Sequence, residues 1–172
     1  LVSITKGKVV MVTGAGGSIG SEICRQVIKR NPEILLLIEI SEYSLYEVHQ
    51  ELEATCLNFK EKYPIFPKII PLLGSVQDEG RMREILNTWK PNILYHAAAY
   101  KHVPMVELNI TEGVMNNIFG TLNCAEVAVQ EKVSTFVLIS TDKAVRPTST
   151  MGSSKRIAEM VLQAFSKNQN IT

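Results

Sequence analysis

Val9-Val10-Met11-Val12-Thr13 runs without a break into Gly14-Ala15-Gly16-Gly17-Ser18-Ile19-Gly20. A β-branched apolar run that empties into closely spaced glycines reads as a strand, a tight turn and the start of a helix. Ile19, Ile23, Val27 and Ile28 follow at helical spacing and give that helix an apolar face. Gly14, Gly17 and Gly20 occupy the first, fourth and seventh positions of the turn. Glycine there permits the turn itself, lets backbone N–H groups approach a phosphate, and lets the helix pack close to the strand. The helix N-terminus, at Ser18 and Ile19, adds partial positive charge. The alternative is a glycine-rich turn that holds nothing. No Lys-Ser or Lys-Thr follows the glycines, which argues against a P-loop.

The same alternation continues along the chain. Short apolar runs at Ile34 to Ile40, Lys68 to Leu73, Asn92 to Ala97 and Thr135 to Ser140 are separated by helical segments. Leu45, Val48 and Leu52 form one apolar stripe; Val114, Ile118, Leu122, Ala125 and Val129 form another; Ile157, Val161 and Ala164 form a third. The expected fold is α/β, a Rossmann-type doubly wound parallel sheet in one domain spanning residues 1–172. Such a fold continues into a further strand where the chain ends at Asn170, Ile171 and Thr172, so the sheet is expected to be C-terminally truncated, without a substrate-binding region. The second strand ends at Glu39, about 20 residues past the glycines, where a carboxylate accepts hydrogen bonds from a ribose and repels a 2′-phosphate. This favours NAD over NADP, with Glu42 as a rival for the role.

Composition narrows the partners. The chain has 172 residues, 45% hydrophobic and 20% charged, enough for one sizeable core. Its 18 basic and 17 acidic residues leave a net charge of +1, which argues against nucleic acid and anionic membrane as partners. Cys24, Cys56 and Cys124 form no CxxC pair and read as core thiols of a reducing compartment. No metal-ligand spacing is present. No apolar run approaches the roughly 20 residues of a membrane span.

Two segments carry candidate chemistry. After the fourth run, His96-Ala97-Ala98-Ala99-Tyr100-Lys101-His102-Val103-Pro104 places small residues and then polar ones at a strand's carboxyl end, where open α/β sheets bind ligands. Ala97, Ala98 and Ala99 leave room for a flat cofactor, and Lys101 and His102 can face a phosphate or sugar. The plain alternative for His96 is a strand-end histidine satisfied by backbone. After the fifth run come Ser140-Thr141-Asp142-Lys143-Ala144 and a helix on which Met151 and Lys155, four apart, share a face. Asp142 and Lys143 offer an acid and a base, or only a surface ion pair.

GAGGSIG, HAAAYKHVP, Asn117-Ile118-Phe119-Gly120-Thr121 and STDKAVRPTSTMGSSK together resemble the extended short-chain dehydrogenase/reductases. Within them the chain is similar to the bacterial UDP-N-acetylglucosamine 4,6-dehydratases of polysaccharide biosynthesis. Met151 stands where that superfamily's usual YxxxK has tyrosine, as in the large membrane-anchored branch, and a thioether is neither acid nor base. The resemblance implies a lyase that removes water from a UDP-sugar by transient hydride transfer to NAD. Asp142 would protonate the departing carbon 6 hydroxyl, Lys143, partly neutral, would take the carbon 5 proton, Thr141 would contact the carbon 4 hydroxyl, and Lys155 would hold the ribose. Ser75 and Val76 would hold adenine, although many relatives have aspartate after the glycine equivalent to Gly74. Asn117 would be structural. The resemblance further implies a homodimer or higher homo-oligomer and a cytoplasmic domain anchored at the inner membrane in the full-length protein. A UDP-sugar 4-epimerase, or a non-catalytic NAD-binding module, is the alternative.

Overall fold

Five strands, β1 (Val9–Thr13), β2 (Ile34–Glu39), β3 (Lys68–Leu73), β4 (Ile93–His96) and β5 (Thr135–Leu138), pair in parallel in the order β3-β2-β1-β4-β5. This arrangement is seen in a computed structural model that describes residues 4–58 and 67–168. Chain order reverses across β1, so a crevice opens between β1 and β4 at the strands' carboxyl ends. The register sets Thr13 opposite both Ile38 and His96, and His96 opposite Leu138. The loops that leave these four residues therefore meet at one sheet edge.

Alternation along each strand divides the core in two. Val10, Val12, Leu35, Leu37, Ile93 and Tyr95 face α1 (Ser18–Ile28) and α2 (Glu42–Asn58). Met11, Leu36, Ile38, Leu94 and Phe136 face the opposite way, against residues of α3 (Glu79–Trp89), α6 (Gly120–Gln130) and α7 (Thr150–Asn168). Fully burying each large side chain is worth about 1.5–3 kcal/mol, so these two layers fix the strand order and register. Two short helices, α4 (Val103–Leu108) and α5 (Ile110–Val114), link β4 to a π turn, Met115–Phe119, that leads into α6. A 3₁₀ turn, Asp142–Ala144, follows β5.

All five strands form where expected, but β2, β4 and β5 stop short of Ile40, Ala97 and Ser140. At β2 the reason is local. The Glu39 carboxylate accepts the N–H groups of Ile40 and Ser41 and turns the chain out of the ladder.

Three apolar stripes are placed differently from expectation. Ile19 is 48% exposed, because its turn of α1 faces the crevice rather than the sheet. On α7 the buried face is Met151, Ser154, Lys155 and Ala158, with Leu162 and Phe165 packed beside it, whereas Ile157 and Ala164 are exposed. Buried Ser154 and Lys155 occupy positions that hydropathy assigns to water. In α5, the π turn and α6, Val114, Ile118, Leu122 and Val129 are only half-buried, while Ala125 is buried as expected. Asn117, Thr121, Cys124, Val127 and Ala128 fill the interior, because the π turn advances the helix phase and two polar residues lie inside. Cys24 and Cys124 are buried thiols, and Cys56 is half-buried. The expected continuation of the sheet concerns residues 169–172, outside the described residues. Among the described residues no helix is long and apolar enough to cross a membrane.

Candidate functional site

Gly14 sets the geometry of the crevice. Its φ is +66°, and a Cβ there would stand 2.7 Å from the Ala98 nitrogen. A side chain at this position would push the β4 loop away from the β1 loop. Beyond it the Gly17 N–H bonds to the Gly14 carbonyl, and α1 begins with no side-chain cap. The first N–H groups of the helix thus lack intrahelical partners, which suits them to an anion.

The hollow on the β2 side, about 240 Å³, is lined by Gly14, Gly17, Glu39, Ser75, Val76 and the Ala97–Ala99 run. Glu39 is its anchor. One carboxylate oxygen accepts the Gly16 N–H at 3.0 Å, and the other accepts Ile40 and Ser41 N–H at 2.9 and 3.1 Å. The carboxylate ties the end of β2 to the glycine turn and still has acceptor capacity for a ribose hydroxyl. Glu42 opens α2, is exposed, and takes no part in this wall. The Ser75 hydroxyl accepts the Gln77 N–H at 3.2 Å, and Asn123 holds the Gln77 carbonyl at 3.1 Å, so the loop after β3 is fixed from two sides.

The hollow on the β5 side, about 380 Å³, shares Gly17, Ala97, Ala99 and Tyr100 with the first. It brings Ser18, Ile19 and Gly20 together with Lys101, His102, Thr141, Lys143, Met151 and Lys155. Gly152 makes this possible. A Cβ there would run into the Lys143 carbonyl, so only glycine lets α7 lie against the 3₁₀ turn. Lys155 is buried and donates to the Ile139 carbonyl at 2.7 Å; burial lowers its ammonium pKa to about 8, offset in part by Glu159. Lys101 reaches across the crevice to the Ser18 hydroxyl at 2.9 Å.

Asp142 is not drawn into this hollow. Its side chain is 91% exposed, that of Lys143 is 58% exposed, and the two are 4.0 Å apart. The Thr141 hydroxyl donates to Asp142 at 2.9 Å and, with the Lys143 cation, lowers the pKa of the carboxyl. Thr141 Oγ1 in turn accepts the Lys143 N–H at 3.4 Å and caps the 3₁₀ turn.

Behind both hollows lies a buried polar frame. His96 is fully buried, with Nδ1 2.7 Å from Thr13 Oγ1 and Nε2 3.0 Å from Thr121 Oγ1, so side chains rather than backbone satisfy it. Burial, then the nearby Lys155 charge, lowers its pKa to about 3. Asn117 accepts the Tyr100 N–H at 2.8 Å and donates to the Tyr100 carbonyl at 2.9 Å and the Ser154 hydroxyl at 3.0 Å. Sequence reasoning left Gly16, Tyr100, Asn116, Ile139 and Ser140 out of the crevice walls, which they line. Gly16 and Tyr100 lie inside the quoted motifs and were within its reach. Asn116, on the π turn, carried no such signal.

The polysaccharide biosynthesis protein family model matches residues 10–172. This chain belongs to that family. It is 50% identical over 165 residues to the capsular polysaccharide biosynthesis protein CapD of Staphylococcus aureus, covering 96% of this chain and 26% of that protein. It is 34% identical to a UDP-glucose 4-epimerase of Rickettsia rickettsii, covering 88% of this chain and 42% of that one. It is 25% identical to the inverting UDP-N-acetylglucosamine 4,6-dehydratase of Campylobacter jejuni, covering 92% and 43%. The family member thus spans between a quarter and a half of the length of these curated relatives. Among solved structures, Pen from Bacillus thuringiensis superposes with a TM-score of 0.84 at 29% identity, covering 99% of this chain and 50% of that one. DesIV, a dTDP-glucose 4,6-dehydratase from Streptomyces venezuelae solved with NAD and TYD bound, shares the fold at a TM-score of 0.76 and 21% identity, covering 92% and 52%. Relatives of this polysaccharide biosynthesis protein therefore include enzymes that act on nucleotide sugars.

Proposed function

We propose that this chain is the cofactor-binding part of an NAD-dependent UDP-N-acetylglucosamine 4,6-dehydratase, a lyase. The observation that carries the proposal is the convergence of Thr141, Lys143, Met151 and Lys155 on the hollow that opens from the glycine turn. A site with methionine in place of a proton-transferring tyrosine needs its acid and base elsewhere, and the 3₁₀ turn supplies both types.

The residues fit NAD. The free N–H groups at the start of α1 suit a pyrophosphate, Glu39 suits an unmodified ribose and disfavours NADP, and Ser75 and Val76 flank the space for adenine. A bound NAD would supply a reversible hydride acceptor for the sugar's carbon 4 and carbon 6. The protein's own side chains hold and move protons. Lys155 holds the nicotinamide ribose. Lys143, at the mouth of the hollow, takes the carbon 5 proton as the base, and a proton returns to carbon 5 after water has left. Asp142 reaches the carbon 6 hydroxyl by a side-chain rotation that breaks its bond from Thr141. That rotation removes the hydrogen bond that does most to lower the carboxyl pKa, so more of Asp142 carries a proton to donate, while the freed Thr141 hydroxyl relays the carbon 4 hydroxyl proton to solvent. Lys101 and His102 stand where they can contact the UDP-sugar.

A 4-epimerase is the second reading, favoured by the higher identity to the Rickettsia protein of that name, 34% against 25%. Incubating the whole protein containing this chain with NAD and UDP-N-acetylglucosamine, and weighing the product, separates the two. Loss of one water, abolished by Asp142→Asn and Lys143→Ala, supports the dehydratase; unchanged mass with altered configuration supports the epimerase. We further propose that a second copy covers the exposed Met115, Phe119, Ile157 and Met160, giving a homodimer or higher homo-oligomer, and that the whole protein is anchored at the inner membrane with this domain in the cytoplasm. Sedimentation velocity and membrane fractionation test these points.

A further inference from the structure

We infer that His96, carrying its proton on Nε2, is a positioning residue that sets the shared wall of the crevice and the seat of α7. The inference rests on the proposed reaction for its kinetic test, but its geometric part stands alone.

The direction of each hydrogen bond follows from one hydroxyl. The Thr121 hydroxyl has a single proton and an acceptor 2.7 Å away, the Asn117 carbonyl on the π turn. Toward His96 it can therefore only accept, so Nε2 bears the hydrogen. Nδ1 is then bare and accepts from Thr13 at 2.7 Å. The Thr13 oxygen keeps a lone pair facing the Ala98 N–H at 3.5 Å. A doubly protonated ring would need a second acceptor, and Thr13 would have to turn its proton away from it. The neutral ring with this one tautomer leaves every member paired.

The chain of bonds ends on functional parts. On one side it reaches Ala98, which lines the β2-side hollow and stands between Ala97 and Ala99, the residues both halves share. On the other it passes from Thr121 to Asn117, whose amide clamps the Tyr100 backbone in both directions and bonds Ser154 on α7. Ser154 donates to the Met151 carbonyl at 2.7 Å and precedes Lys155. Thr13, His96, Thr121, Asn117 and Ser154 are all at least nine-tenths buried. A fully satisfied buried network of this kind specifies one geometry, whereas an apolar core at the same place would tolerate several. The π turn fits the same purpose, since its altered phase is what aims Asn117 at Tyr100.

The test uses the whole protein. With histidine ring nitrogens labelled, the resonances lost in His96→Gln identify His96, and its pattern at neutral pH should be that of a bare Nδ1 and a protonated Nε2. A protonated Nδ1 overturns the inference whether or not the protein dehydrates any sugar. In kinetics, Thr121→Val and His96→Phe should lower kcat by about 10- to 100-fold with KM for the UDP-sugar nearly unchanged, as expected for a misplaced wall rather than a lost contact. His96→Gln, which can donate and accept at once, should recover most of that loss. If Thr121→Val folds and turns over at the wild-type rate, or if His96→Gln is no better than His96→Phe, His96 is merely core. An unaltered sugar with the wild-type protein would sink the proposed reaction instead, leaving the nitrogen spectrum to decide on His96.

Discussion

The two halves of the crevice are built from different materials. On the β2 side the walls are main chain and small residues, and Glu39 alone takes three N–H groups, from Gly16, Ile40 and Ser41. On the β5 side the working groups are long side chains, of which Asp142 and Lys143 are largely in solvent. The first half is organised by strand register before any ligand arrives. The second is held firmly only at its base, by buried Lys155 and Met151 and by the frame behind them. Under the proposed function, this contrast corresponds to a preformed cofactor side and to reactive groups that the substrate would set. Exposed charges 4.0 Å apart contribute little to stability, so leaving them loose costs the fold almost nothing.

If this division is right, Lys143→Ala should reduce dehydration by about 10²- to 10⁴-fold while NAD affinity, measured by calorimetry, stays near wild type. Comparable loss of NAD binding would break the comparison. Gly14→Ala should do the reverse, since a Cβ at φ +66° beside Ala98 strains the turn. A stability loss of about 1–3 kcal/mol in urea melts, together with weakened NAD binding, is expected.

Lys155→Met should sharpen the picture at the base of the second half. The pKa of Lys155 is lowered from 10.5 to about 8 by burial, so the unfolded chain binds more protons than the folded one between those values. The penalty for burying the ammonium is therefore fully present below about pH 8 and fades as pH rises toward 10.5. The variant should lose activity yet gain about 1–3 kcal/mol of stability at pH 7, and the gain should shrink across that window in pH-dependent melts. A gain independent of pH would mean that Lys155 is not a buried cation. Glu39→Gln should have the smallest effect, about a 10-fold loss of NAD affinity with relaxed rejection of NADP, read by titrating both cofactors.

The sequence made the first half of the crevice far more legible than the second. The glycine turn, Glu39 and the three alanines are local signals, because strand ends and glycines are placed by neighbours in sequence and by the parallel pairing. Asp142 and Lys143 were legible as a pair, but their outward aim depends on how the 3₁₀ turn is capped by Thr141. The helix faces misled for a related reason. Hydropathy assigns Ser154, Lys155 and Asn117 to the surface, yet each is buried because a partner more than ten residues away satisfies it. No periodicity records such partners, and the π turn displaces the phase that periodicity assumes.

The most direct test of the proposed chemistry is to run the reaction of the whole protein with UDP-N-acetylglucosamine and NAD in deuterium oxide and examine the product by mass spectrometry and NMR. A base at Lys143 that removes the carbon 5 proton predicts a product lighter by one water and carrying one solvent deuterium at carbon 5. A product of unchanged formula, epimerised at carbon 4 and free of deuterium on carbon, would contradict it.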